Sequence, residues 1–209
     1  MAASPTADIL NSKWLRDEGF KANKDLPEVA GAFSGDCVVI ASGRCVWGDL
    51  ENVNIYNADV LVVNDIGMHL PCEIRHWFSM HGDQIPTWVT ARGFRYKGYD
   101  SRLMTHSCGY QSHVQHVWPW PGHGTSGLNA IYTALGLGYE SVTVAGMPLD
   151  DSGHYFDPPD ESSLLRYGEK HAWTNFNREA KESIWENACK QVFNGRVRFL
   201  SGRAEDWTT

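Results

Sequence analysis

Asp36-Cys37-Val38-Val39-Ile40-Ala41 runs apolar and largely β-branched without a break, and it stops at Ser42-Gly43. A strand with one wet face alternates apolar and polar residues. A continuous run suits a strand buried on both faces, as in a parallel sheet covered by helices on each side. Ala58–Val63, closed by Asn64-Asp65, and Ser141–Ala145, closed by Gly146, repeat the pattern. Pro86–Thr90, Val114–Trp118 and Arg196–Leu200 are predicted as further strands, for about six in all.

Helical stretches fall between the runs. Pro71–Met80 is predicted helical, with a proline near its start, where the missing donor costs nothing. Within Ser126–Leu137, Leu128, Ile131, Tyr132 and Leu135 recur at helical spacing, and Gly136 and Gly138 suit a C-terminal stop. Asn177–Phe193 precedes the last predicted strand. Ile9, Leu10, Trp14 and Leu15 predict a helix over Asp8–Lys21, which makes residues 1–34 a helical extension on a core at 35–202. Strand and helix alternate, so the expected fold class is α/β. It would be one Rossmann-like domain over 1–209, a mostly parallel twisted sheet with helices on both faces. Pro158-Pro159, followed by acid and serine, reads as a surface loop.

Composition narrows the function classes. With 42% hydrophobic and 21% charged residues, the 209-residue chain is neither disordered nor in need of a staple to hold its core. No apolar run approaches the roughly 18–20 residues of a membrane span, and Met1–Asn11 has no basic stretch leading into an apolar core. Five scattered cysteines without a CxxC pair read as reduced thiols. The expectation is a cytoplasmic protein with no membrane partner. Eighteen basic against 25 acidic residues give a formal charge of −7, so direct duplex-DNA binding is not expected. Nine tryptophans leave scope for an exposed aromatic interface, and with it a homo-oligomer. Seven of the nine histidines fall between His69 and His123, a crowding that points to chemistry in the middle of the chain.

In an open parallel sheet ligands bind beyond the carboxyl ends of strands, so the candidate residues are those just after each run. Ser42 and Gly43 form a small-residue turn that lets backbone N–H groups approach a phosphate, or an ordinary turn. Asn64 and Asp65 are placed to bond ribose or base, or to cap the next helix. Gly124, Thr125, Ser126 and Gly127 combine accessible backbone, two hydroxyls and a helix N-terminus, which is an anion cradle or a capped helix start. Past the Ser141–Ala145 run, Asp150, Asp151, His154, Tyr155 and Asp157 lie within a dozen residues. The carboxylates suit a metal or a hydroxyl, and His154 and Tyr155 suit a phosphate. His171 is a candidate general base. His113-x2-His116 and Cys72-x3-His76-x4-His81 come nearest to metal-ligand spacing but match no paired zinc pattern.

The order of these segments resembles the Rossmann-like group that includes the bacterial sialyltransferases of glycosyltransferase family 42 and the archaeal hydroxymethylpterin pyrophosphokinase-like proteins. It looks closest to small proteins of phages and prophages with a Ser-Gly-Leu helix start and a closing Arg-Val-Arg-x-x-Ser-Gly, here Arg196–Gly202. The resemblance implies a nucleotide-sugar-dependent, metal-independent glycosyltransferase with no required cofactor. Ser42, Gly43, Asn64 and Thr125–Gly127 would hold the nucleotide of the donor, Tyr155 its phosphate, and His171 would act as base toward an acceptor. The family's turn usually reads Gly-Asn-Gly-Pro-Ser, against Ala41-Ser-Gly-Arg-Cys45 here. Its Gly-x-Asp reads Gly146-Met-Pro148, with the acid displaced to Asp150 or Asp151. The alternative implied by the pterin kinase-like relatives is a Mg2+-dependent phosphoryl or pyrophosphoryl transferase with Asp65, Asp150 and Asp151 as ligands. A nucleotide-binding protein without catalysis is the third expectation.

Overall fold

A computed structural model describes residues 5–17, 26–98, 100–108, 113–121, 125–150, 152–157, 178–193 and 195–208. Within them lie seven strands: β1 (Asp36–Ile40), β2 (Asp59–Val63), β3 (His76–Phe78), β4 (Met104–Cys108), β5 (His116–Trp118), β6 (Ser141–Ala145) and β7 (Val197–Phe199). The helices are α1 (Pro5–Leu10), α2 (Lys13–Asp17), α3 (Val46–Leu50), α4 (Ile85–Arg95), α5 (Ser126–Leu137), α6 (Arg178–Gln191) and α7 (Ala204–Thr208). All strand pairs are parallel, in the order β5-β4-β3-β2-β1-β6-β7. The fold is the expected α/β, Rossmann-like architecture with helices on both faces.

The unbroken apolar runs explain the layering. Successive side chains of a strand point to opposite faces. Cys37 and Val39 therefore join one core, with Leu61, Val63, α5, α6 and α7, while Val38 and Ile40 join the other, with Val60, Val62, α3 and α4. The first core also takes Ile9 and Leu15 from the N-terminal segment. Gly31 and Phe33 donate their N–H groups to the carbonyls of Gly136 and Leu137 at the end of α5. Tryptophans serve these cores: Trp77, Trp118, Trp120 and Trp185 are buried, and among the described residues Trp47 is the tryptophan counted with the exposed large hydrophobic residues.

Four elements differ from expectation. Within the described part of Asp8–Lys21 there is no single helix but two short ones, α1 and α2, parted at Asn11-Ser12, where the Ser12 hydroxyl accepts from Leu15 N and starts the second. Pro86–Thr90 is not a strand but part of α4, where Pro86 occupies the first turn. Ile85, Trp88, Val89 and Arg92 form the inward helical stripe, and the period becomes plain only past Thr90. Pro71–Met80 is not a helix and contains β3, whose Trp77 and Phe78 are fully buried between β2 and β4. The strand β4, Met104-Thr-His-Ser-Cys108, raises the total to seven. It carries no apolar run because its polar groups have cross-strand partners: Ser107 Oγ donates to the Ser79 carbonyl at 2.6 Å, and Thr105 exchanges hydrogen bonds with Gln115.

One charged residue organises the α4 side. Arg92 is fully buried, donates to the carbonyls of Gly67 and Leu70 at 2.7 Å each and to that of Cys72, and makes a two-pronged pair with Asp100. Its rigid fork satisfies three carbonyls that no strand or helix would otherwise pair.

Candidate active site

Strand order reverses at β1. The chain lays β2 to β5 on one side of it, then crosses over to place β6 and β7 on the other. A crevice opens where neighbouring connections leave in opposite directions, at the carboxyl ends of β1 and β6. A cleft of about 230 Å³ lies there, lined by Ser42 and Gly43 after β1, Asn64 after β2, Thr125–Gly127 at the start of α5, Gly146–Asp150 after β6, His154, and Lys181 of α6.

Each lining residue has a local cause. Asn64 adopts a left-handed backbone (φ 57°), a conformation Asn tolerates well. Its carbonyl accepts from Trp77 Nε1 at 2.7 Å and its side-chain oxygen accepts from Ser79 Oγ at 2.7 Å. That leaves the carboxamide N–H groups as the donors on offer to a ligand. Thr125 caps α5, its Oγ1 accepting from Leu128 N, and Ser126 Oγ accepts from Met80 N. The first amides of α5, at Ser126 and Gly127, have no intrahelical acceptor and carry the positive end of the helix dipole.

Two of the cleft glycines do steric work. At Gly43 a Cβ would stand 2.5 Å from Pro148 Cδ and 2.6 Å from the Gly146 carbonyl oxygen, and the Gly43 N–H donates to that oxygen at 2.8 Å. The expected phosphate-facing N–H of Gly43 is therefore spent on the protein, and the residue's role is close packing of two loops. At Gly127 a Cβ would stand 2.5 Å from the Met147 sulfur, so glycine there lets α5 start against the loop after β6.

That loop is pinned over β1. Gly43 and His154 form an antiparallel bridge, Arg44 N donates to the Gly153 carbonyl at 3.1 Å, and Tyr155 N to the Ser42 carbonyl at 2.9 Å. Asp157 is buried and accepts from both the His154 backbone N–H at 2.8 Å and His154 Nδ1 at 3.2 Å. With the proton held on Nδ1, neutral His154 carries its lone pair on Nε2. The imidazole stacks flat on Phe156, with centroids 5.0 Å apart and planes 4° from parallel.

Other expected residues lie elsewhere. Tyr155 is not among the lining residues. Its ring packs edge-on against Trp47 and His69, both at 5.6 Å, and burial with the neighbouring Asp65 carboxylate pushes its phenol up to about 12. Asp65 is half-buried beside the cleft; burial raises its carboxyl above the usual range, against the pull of His154 and His69. Asp150 turns back to accept from Ser152 N at 2.9 Å. Among the described residues no three His, Cys, Asp or Glu side chains form a group suited to a metal ion, and Asp151, the third acid of the Mg2+ alternative, lies outside them. Gly124, Asp151 and His171, like the Pro158-Pro159 loop, lie outside the described residues. The histidines of the middle of the chain do not gather at one place: His69 lies by Tyr155 and Asp65, while His123 is outside the described residues. His76 and His106 are buried in the core beneath the sheet, and Cys72 packs in the opposite core.

Three contributors carry no sequence signal of their own. Asp49 of α3 is buried and its Oδ2 accepts from Gly146 N at 2.8 Å and Ser201 Oγ at 2.9 Å, which fixes the floor of the cleft. Ser79 holds Asn64. Lys181 reaches the cleft from a helix whose sequence reads as an ordinary amphipathic one. Asp157 was visible as one acid among several, and only the fold singles it out as the partner of His154.

Fold and cleft together define a Rossmann-like α/β protein with a crevice at its strand crossover. No family model matches the chain, and no curated protein matches it. Among solved structures it is similar to the sialyltransferase CstII from Campylobacter jejuni in complex with cytidine-5'-monophosphate, at 14% identity over 79% of each chain and a TM-score of 0.49. It is also similar to that sialyltransferase with a trisaccharide acceptor and CMP, at 16% identity over 83% of this chain and 88% of that one, with a TM-score of 0.46. No helix among the described residues is long and apolar enough to cross a membrane.

Proposed function

We propose that this protein is a glycosyltransferase that binds a nucleotide-activated sugar in the β1/β6 crossover cleft and passes the sugar to an acceptor hydroxyl. The observation that carries this is one cleft lined by both an α-helix N-terminus and an imidazole oriented by a buried carboxylate. Glycosyl transfer needs those two things, a base for the acceptor and donors for the departing phosphate. His154 Nε2 takes the acceptor proton as the acceptor oxygen bonds to the anomeric carbon. The bond from that carbon to the phosphate oxygen breaks, and the nucleotide leaves with the electron pair. The amides of Ser126 and Gly127 and the Lys181 ammonium receive the developing charge, while Asn64 and Ser42 orient the nucleoside. Asp157 holds the tautomer that makes His154 a base. No metal takes part in the proposed step.

A melting-temperature screen with CMP, UDP, GDP, ADP and ATP, each with and without Mg2+, tests the binding half. CMP and CMP-sialic acid are the first probes, because the motif order resembles that of sialyltransferases. A shift of several degrees with one sugar-carrying nucleotide, unchanged by EDTA, is expected; a ligand at 100 times its dissociation constant adds about 2.7 kcal/mol. Transfer of the bound nucleotide's sugar, lost in His154→Ala with binding kept, tests the chemical half. A shift confined to ATP with Mg2+ would replace this reading by phosphoryl transfer at Asp65 and Asp150. Binding without turnover would make the protein a nucleotide-binding module.

A further inference from the structure

Beneath the sheet, away from the cleft, five side chains on four strands and a turn form one hydrogen-bonded line. Trp118 Nε1 meets His106 Nδ1 at 3.2 Å, and His106 Nε2 meets His76 Nδ1 at 3.0 Å. His76 Nε2 meets the Tyr139 hydroxyl at 2.8 Å, and that hydroxyl donates to Asp59 Oδ2 at 2.6 Å. Both histidines have no exposed surface.

The ends of the line set its direction. An indole N–H can only donate and a carboxylate can only accept. His106 Nδ1 therefore accepts, so neutral His106 carries its proton on Nε2 and donates it to His76 Nδ1. His76 then carries its own proton on Nε2 and donates to Tyr139, whose single O–H is already committed to Asp59. Every link is satisfied once, and no group is asked to donate twice. The geometry points to a proton-ordered latch, tying β5, β4, β3 and β2 to the turn after α5, that holds only while both histidines are neutral Nε2–H tautomers and so releases the sheet in acid.

Acid must break it for a local reason. A second proton on His76 sits on Nδ1 and faces the His106 Nε2–H across 3.0 Å. A second proton on His106 sits on Nδ1 and faces the Trp118 N–H across 3.2 Å. Either way two donors collide between rings that have no exposed surface. The groups around the pair do not relieve this. His116 of β5 stacks on His106 at 5.1 Å, and Phe33, capped by the Arg75 guanidinium, closes over His76. Asp59 of β2 is one link removed, behind Tyr139, with Cys37 of β1 beside it, and Glu28 of the N-terminal segment acts on His116. Burial, with Arg75 and His116, pulls His76 down to about 3, and burial with His76 and His116 holds His106 well below the usual histidine range.

Two measurements test this, and neither depends on what the cleft binds. Long-range 1H–15N correlation spectra of the 15N-labelled protein report each histidine's tautomer. Both His76 and His106 are expected as neutral Nε2–H rings from pH 7.5 to 5.5, with a through-hydrogen-bond 15N–15N coupling between His106 Nε2 and His76 Nδ1. An imidazolium or an Nδ1–H ring at either position overturns the latch. Urea unfolding from pH 7.5 to 4.5 is the second. Below about pH 6 the two histidines should raise the unfolding constant by up to roughly a hundredfold per pH unit beyond that of His76→Gln/His106→Gln. Equal acid slopes in the two proteins overturn it as well. Should the double variant fail to fold, the tautomer spectra of the unaltered protein decide alone.

Discussion

His154 takes its direction from Asp157, three residues on, and that pairing makes sharp predictions for single substitutions. His154→Ala is expected to lower kcat/KM for sugar transfer by roughly 10²–10⁴ with nucleotide binding retained, read in steady-state kinetics beside a melting-shift titration. Asp157→Asn removes the acceptor that selects the Nδ1–H tautomer, so it should cost part of that factor, chiefly in kcat. Gly43→Ala is predicted to act through space alone. Its Cβ has nowhere to go between Pro148 and the Gly146 carbonyl, so the loops after β1 and β6 must part. A loss of about 1–3 kcal/mol in urea unfolding, with nucleotide binding abolished, is the expected result. At this scale much of the cleft was legible. Ser42 and Asn64 stand just past apolar runs and Thr125–Gly127 opens a patterned helix, and they do converge. Asp49 and Lys181 were not legible, because a carboxylate in a short helix and an amine on an amphipathic one look like surface residues until the packing turns them inward.

At the scale of elements, α5 carries two loads: its body fills the first core and its first turn lines the cleft. Thr125→Ala removes the hydroxyl that accepts from Leu128 N and should cost about 0.5–2 kcal/mol by urea unfolding, with weaker nucleotide binding in the same titration. Helix α4 depends on one buried cation. Arg92→Ala would take their donor from the carbonyls of Gly67, Leu70 and Cys72 and leave the Asp100 carboxylate without its cation, a loss of about 3–5 kcal/mol that a urea midpoint should show directly. The elements misread from sequence share a cause. In α4 the helical stripe includes Arg92, a residue normally assigned to solvent. In β3 and β4 the buried positions include His76, His106 and Ser107, which break any apolar pattern. Each is polar and each is buried because a partner on another element receives its hydrogen bond, information that a local window does not contain.

For the whole molecule, the buried histidines tie stability to pH. Their folded pKa values lie below the unfolded value near 6.5, so between the two the unfolded chain binds more protons. Stability is then full above about pH 6.5 and falls as pH drops toward the folded pKa values, at up to about 1.4 kcal/mol per pH unit for each histidine. Circular-dichroism melts across pH 7.5 to 4.5 should show the melting temperature falling monotonically. The strands of the latch also carry Ser79 and Met80 at their ends, which hold Asn64 and Ser126, so nucleotide affinity should decline over the same range.

By itself the sequence determined the α/β class, the two-faced burial of β1, β2 and β6, and the turns that come to line the crossover cleft. Those follow from local rules, since an unbroken apolar run has no stable place except between two layers. The tertiary structure alone decided which side chains act together. Strand order put the crossover between β1 and β6, which brought residues from 42 to 181 to one cleft. It also placed His76, His106, Tyr139 and Asp59 in one line, where the histidine crowding in the sequence had suggested chemistry. A hydrogen bond between residues far apart along the chain depends on their positions in space, and those positions exist only once the sheet has formed.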